Sequence, residues 1–332
     1  MADFQIIAEA AQGFEGKPEL ASLLVKAAAA AKADAIKFQL VYADELATPD
    51  YQHYALFKTL EMPDTAWREL KALADQSGVA LYLDVFGSRS LALAQALGCR
   101  AVKVHSTDMA NPGLLQEIAE SDVPLVFLSS AGCSEAEIEE ALALFARKEV
   151  VLLHGFQGYP TPTDANHLAR IAALRKLLER SGIKGEIGFA DHAPADDPLR
   201  FLLPAAAMGG GARVIEKHLT LSKVMAFEDH EAALSPDELA EFVVQMRACF
   251  AAIGVQDAMH ASELDYRTKT RKHVVALKDI EAGSTIDARA LGLLRTSSAE
   301  PIYAVREVSG KRAKSRIAKG SAVVRNALED GQ

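Results

Sequence analysis

The sequence predicts an α/β fold: a (β/α)8 TIM barrel followed by a small β-rich module. Three observations carry this. Short apolar runs of strand length recur through residues 1–254. Amphipathic stretches of helical period separate them. After Gly254 that alternation stops. A chain of 332 residues has room for about two domains, so both pieces fit.

The strand-like runs lie at 4–8, 35–38, 80–84, 101–104, 125–128, 150–153, 186–189 and 213–216. Each is followed by a polar loop and then a helical pattern, of which 18–33, 64–77, 134–146 and 164–181 are clear examples. The alanine run 27–31 belongs to the first of these and is too short to cross a membrane. The last helical stretch, 235–253, opens with Ser-Pro-Asp-Glu, an N-cap followed by acidic first-turn residues. Eight strands alternating with eight helices over about 250 residues is the tally of a (β/α)8 barrel. A doubly wound sheet is the rival, but no GxGxxG follows the first strand. Gly209-Gly210-Gly211 precedes a strand and reads as a helix-ending turn. Residues 255–271 are polar and read as a linker. Residues 272–332 then carry a small repeat, Ile280-Glu-Ala-Gly-Ser-Thr-Ile286 and Ile317-Ala-Lys-Gly-Ser-Ala-Val323. Each copy places a glycine turn between aliphatics, as a compact β-rich module requires.

Charge divides along the same boundary. Residues 1–254 hold 22 Lys and Arg against 35 Asp and Glu, or −13; residues 255–332 hold 14 against 10, or +4; the sum is −9. An acidic chain argues against a nucleic-acid partner. The basic tail module, small for stability alone, is expected to dock on its own barrel or on a partner chain's. Cys99, Cys133 and Cys249 form no CxxC pair and read as reduced residues of a cytoplasmic protein. No basic N-terminal region or long apolar run marks a targeting or membrane segment.

In this fold the chemistry sits at the carboxyl ends of the strands. Glu9 and the turn Gly13-Phe14-Glu15-Gly16 follow the first strand, and the second ends in Lys37-Phe38-Gln39. Asp84 closes the third, Lys103-Val-His105-Ser106 the fourth, and Ser129-Ser130 the fifth. The sixth gives His154 and a loop holding Gln157 and Tyr159, the seventh ends in Asp191-His192, and the eighth in Glu216-Lys217-His218. Two histidines on neighbouring strand ends either share a divalent metal or hydrogen-bond to loops. Lys37 and Lys103 inside strands point to a bound anion, to a Schiff base, or to pairing with Glu9 or Asp84. Ser106, Ser129 and Ser130 are small donors suited to phosphate oxygens. Cys133 and Trp67 read as packing, and Asp229-His230 takes no assignment.

With these residues in view, the chain resembles the sialic acid (N-acetylneuraminate) synthase family over nearly its whole length. The matching segments are AEAAQGFEG at 8–16, IKFQ at 36–39, VKVHSTD at 102–108, FLSSAG at 127–132, HGFQGYPTP at 154–162, GFADH at 188–192 and IEKHLT at 215–220. The tail resembles the antifreeze-like (SAF) domain that ends these synthases. The resemblance implies condensation of phosphoenolpyruvate with an open-chain N-acylated amino sugar, such as N-acetylmannosamine, to a nonulosonic acid and phosphate. It implies that His192 and His218 hold Mn²⁺, or else Mg²⁺ or Co²⁺, and that Glu15 assists proton transfer. Lys37, Lys103, Ser106 and Ser129 would hold phosphoenolpyruvate, with Gln39 nearby and Tyr159 lining the sugar site. Arg295, on the tail, would enter the partner's site across a domain-swapped homodimer.

The chain departs from that family at several places. Gly13-Phe14 replaces Asn-His, Leu83-Asp84-Val85 replaces Ser-Thr-Pro, and Ala190 replaces a serine. The family's loop asparagine is replaced near Gln157, Phe227-Glu228 precedes Asp229-His230 in place of Gly-Pro, and Arg295-Thr296-Ser297 replaces Arg-Pro-Gly. Two other readings therefore stand beside the synthase: a Schiff-base aldolase using Lys37 or Lys103, and a sugar-binding relative without turnover.

Overall fold

The computed structural model describes residues 4–254, 258–300 and 302–329. They divide into two compact units, Met1–Gly254 and Val255–Gln332.

In the first unit, eight parallel strands close into a barrel: β1 (Gln5–Ala11), β2 (Ala35–Gln39), β3 (Ala80–Val85), β4 (Ala101–Val104), β5 (Leu125–Ser129), β6 (Glu149–Gly155), β7 (Gly185–Asp191) and β8 (Val214–His218). β8 pairs back onto β1. The alternation of side chains makes two cores from one sheet. Outward residues such as Ile6, Ile36, Phe38 and Leu83 pack on the helix layer. Inward residues Ile7, Ala35, Tyr82, Phe127, Val151 and Val214 fill the barrel. Above this apolar plug the inward positions become charged, so most strands run one to three residues beyond the apolar runs that foretell them.

Eight helices follow the strands, beginning with Pro18–Ala30 and ending with Pro236–Ile253. The serine N-caps are real: Ser134 N donates to Glu137 at 2.7 Å and Ser235 N to Glu238 at 2.9 Å, each half of a capping box. One expected helix starts late, at Arg170 rather than near 164. The Asn166 amide donates to the carbonyls of Pro162 and Thr163, and the His154 ring meets the Asn166 carbonyl at 2.7 Å. These local bonds compete with helix formation and hold the loop after β6 in place. Two short helices, Ala43–Leu46 and Tyr54–Leu60, occupy the loop after β2 and were not expected. The helix Leu202–Gly209 ends in the glycine run, where Gly211 takes φ +111°, as the turn reading anticipates.

Trp67 is fully buried and meets Phe14 and Phe38 edge-on, with centroids 5.8 and 6.0 Å away. This cluster anchors the turn that carries Glu15. Gly155 permits the close approach of β6 and β7. At its φ of +141° an added Cβ would run into the Ala190 carbonyl, two residues before His192.

In the second unit β9 (His273–Ala276) pairs antiparallel with β10 (Leu291–Leu294). The sequence repeat becomes a pair of facing turns. Ile280 bridges Ile317, Gly283 and Gly320 take φ near +80°, and Ile286 and Val323 are buried together. The segment read as a linker contains a helix, Ala261–Thr270, with no buried residue. No apolar stripe announces it; it relies on local support such as the Lys269–Asp265 pair at 2.7 Å. Among the described residues, no helix is long and apolar enough to cross a membrane.

Candidate active site

The carboxyl ends of the strands gather five charged side chains on the barrel axis. Glu9 and Lys37 are register partners on β1 and β2, as are Asp84 and Lys103 on β3 and β4. Glu216 joins them from β8. None is more than 7 % exposed. Lys37 Nζ donates to Asp84 Oδ1 at 2.7 Å, pairs with Glu9, and lies 3.5 Å from Glu216. Lys103 Nζ donates to Glu216 at 2.9 Å and lies 3.4 Å from Asp84 Oδ2. Two ammoniums and three carboxylates sum formally to −1. Burial pushes Glu9 up to about 8, against the pull of Lys37. Burial also opposes charge on Glu216, but Lys103 and Lys37 outweigh it and hold that carboxyl below its ordinary range. For Lys103, burial is likewise outweighed by Asp84 and Glu216, so the ammonium is held firmly protonated.

Above this floor lies a cavity of about 50 Å³, whose lining includes Lys103, His192, His218, Tyr159 and Asp229. The two imidazoles lie 5.0 Å apart, and the Tyr159 ring stands edge-on to both at 5.9 and 5.7 Å. His192 Nδ1 is 2.9 Å from the Ala190 carbonyl. A carbonyl only accepts, so Nδ1 carries the hydrogen and Nε2 keeps its lone pair. Behind the histidines, on the outer face of the same strands, Lys217 donates to Asp191 at 2.8 Å and ties β8 to β7. Burial drives His192 down to about 3; burial, then the neighbouring His192, lowers His218 well below its usual value. Tyr159 Oη donates to the Asp229 carbonyl. Asp229 sits at φ +63°, accepts from Gln12 N at 3.3 Å, and is pushed up to about 6 by burial.

Neutral imidazoles are the ligand form of histidine. Among the described residues no three His, Cys, Asp or Glu side chains are placed to close on one ion. A metal here would take two protein ligands and complete its shell with water or substrate oxygens. The neutral pair suits a divalent ion, but it supplies one protein ligand fewer than the three usual in catalytic sites and leaves more of the shell to water and substrate.

The NeuB family model matches residues 24–258, well over half of the chain. This chain belongs to the NeuB family. The SAF domain model matches residues 271–329. Two curated relatives are N,N'-diacetyllegionaminic acid synthases. That of Campylobacter jejuni is 30% identical and the alignment covers 92% of this chain and 94% of the relative. That of Legionella pneumophila is 28% identical over 98% and 94%. Among solved structures, the N-acetylneuraminic acid (sialic acid) synthetase of Leptospira borgpetersenii serovar Hardjo-bovis superposes with a TM-score of 0.73. It is 29% identical and covers 81% of this chain and 93% of its own.

In this NeuB-family barrel, Gln39, Lys103, Tyr159, His192 and His218 meet at one cavity, as the sequence suggests. Four other expected residues of this unit stand outside its lining. Lys37 is sealed beneath the floor by Glu9 and Asp84. Ser129 is buried at the end of β5, and Ser106 opens a short turn after β4. Glu15 sits at φ +54° and accepts from Glu228 N at 2.8 Å, tying two loops together. Arg295 belongs to the second unit; it is exposed, and its Nε donates to the Thr270 carbonyl at 3.1 Å. Glu216, Glu9 and Asp229 line the cavity without having been assigned a role. For Glu216 the signal was present: it is two residues from His218 on one strand and so shares its face.

The depressed histidines give a direct test. In nitrogen-15 NMR titration of the metal-free protein, His192 should stay neutral at about pH 5, where a free histidine near 6.5 is mostly protonated, and His218 should titrate well below its ordinary value. Their unfolded counterparts take protons first, so these groups' stabilising contribution falls as the pH drops below 6.5. A midpoint near 6.5 for either ring would contradict the burial.

Proposed function

We propose that this chain is a metal-dependent synthase that condenses phosphoenolpyruvate with an open-chain N-acylated amino sugar and releases phosphate and a nonulosonic acid. It would thus be a carbon–carbon bond-forming transferase. The observation that carries the reading is the meeting of two neutral histidines, a protonated lysine and several carboxylates in one cavity of a NeuB-family barrel. The names of the legionaminic and sialic acid synthases support the substrate class.

His192 and His218 would hold the ion, Mn²⁺ in the first instance with Mg²⁺ or Co²⁺ as alternatives. When bound, it supplies Lewis-acid polarisation of the sugar aldehyde toward attack by C3 of phosphoenolpyruvate. Lys103 is the cation that reaches the cavity and meets the donor's anionic end. Tyr159 and Asp229 present a phenol and a carboxylate to the sugar hydroxyls. Glu15, tied to Glu228, positions the loops at the mouth. Arg295 would bring a guanidinium from the SAF domain to the site of a partner chain in a homodimer.

The test is incubation with phosphoenolpyruvate, Mn²⁺ and a panel of aldoses. Aldose-dependent phosphate release, with a matching product by mass spectrometry, is expected; a panel-wide absence of release overturns the reading. A Schiff-base aldolase is disfavoured by the site itself. That chemistry needs a neutral lysine, whereas Lys103 is held protonated. Borohydride with a keto acid should leave no adduct.

A further inference from the structure

Lys37 and Lys103 stand on β2 and β4, with one strand between them. Asp84 is the penultimate residue of that strand, register-paired to Gln39 on one side and Lys103 on the other. One of its oxygens is 2.7 Å from Lys37 and the other 3.4 Å from Lys103. Its carboxylate therefore occupies the position from which a single anion would engage both ammoniums. It is fully buried, and its Oδ2 has no hydrogen bond. An unbonded buried carboxylate oxygen is costly to keep, so only the two lysine charges hold it there.

We propose that Asp84 is a built-in counter-ion that sets the anion affinity of this site. In the free protein it occupies the two lysines. A phosphate-bearing ligand must either displace it or make do with what Lys103 alone offers at the cavity. Asp84 is thus a specificity-determining residue that disfavours highly charged donors. This inference rests on the reading of the cavity as a phosphoenolpyruvate site. The formal charge of the cluster explains its direction. Loss of the Asp84 carboxylate makes the cluster one unit more positive around Lys37 and Lys103, whatever the protonation of Glu9. Lys37 keeps Glu9 and Lys103 keeps Glu216, but both ammoniums lose the carboxylate they share and are less fully compensated toward an anionic ligand.

The test is calorimetric titration of the full chain with phosphoenolpyruvate and, separately, with inorganic phosphate. No acceptor sugar is present and the ionic strength is fixed. Asp84→Asn keeps the shape and a hydrogen bond to Lys37; Asp84→Ser also leaves room for a phosphate oxygen. Both variants should bind both probes about tenfold more tightly than the unsubstituted protein, a gain of about 1.4 kcal/mol. Asp84→Glu, which keeps the charge, should show no such gain. Equal or weaker binding in the folded Asn and Ser variants overturns the proposal. Failure of both to fold does so too, because Asp84 is then structural. The outcome is separable from the catalytic reading. A wild-type protein that releases no phosphate with any aldose defeats that reading yet leaves this binding comparison intact.

Discussion

An alanine at position 218 is expected to remove bound manganese and turnover together. His218 and His192 are the two side chains that face each other with neutral rings across the cavity, 5.0 Å apart. Among the described residues no third His, Cys, Asp or Glu stands ready to replace either, so in the proposed site neither is redundant. Losing a supporting partner of a metal ligand already costs about 10–100-fold in affinity or activity, so losing a ligand should cost more than about a hundredfold. Metal content of the purified variant, read by atomic emission, should fall to a small fraction of an equivalent. Phosphate release should fall in parallel. The fold should survive, because His218 ends its strand and makes none of the ion pairs that join β8 to its neighbours. A His218→Ala protein with normal metal content would refute the ligand assignment, whatever its activity.

The barrel was legible because its evidence is local. Apolar runs of strand length and capped helices are visible within 10–20 residues of any point, and the alternation of Lys37 with Phe38 already places lysine and aromatic on opposite faces. What stayed hidden depends on closure. Lys103 meets Glu216 across 113 residues, and Lys37 meets Glu9 only because β1 lies beside β2 in register. The sequence offered pairing with Glu9 or Asp84 as an alternative to anion binding; in the fold Lys37 takes both partners. Asp84 stood out as a departure at the end of β3, but nothing local shows that its strand lies between two lysines. The helix Ala261–Thr270 was missed for a different reason: with no side chain buried, it has no apolar periodicity to read. The repeated glycine turns were visible, yet their bridge through Ile280 and Ile317 is a tertiary fact.

Replacing Lys37 by methionine should destabilise the barrel more than any other change in the charged cluster. Its ammonium is fully buried and is the nearest partner of both Glu9 and Asp84. Methionine matches the length of the side chain, so the loss is one of charge rather than volume. Removing one member of a buried ionic cluster leaves its partners uncompensated and costs about 3–5 kcal/mol. Part of this is relieved at Glu9, which burial already pushes up to about 8 and which can remain protonated. Asp84 keeps one lysine, 3.4 Å away and shared with Glu216. For a domain of this size, about 1 kcal/mol corresponds to roughly 2–4 °C, so a fall in Tm of about 10 °C is expected. The double variant Lys37→Met with Asp84→Asn should recover much of that loss, since it withdraws one cation and one anion together. A single variant within about 2 °C of the parent would show that Lys37 does not compensate the charges of Glu9 and Asp84. Failure of the double variant to recover would place the cost on Glu9, and Glu9→Gln in the same background would then have to restore it.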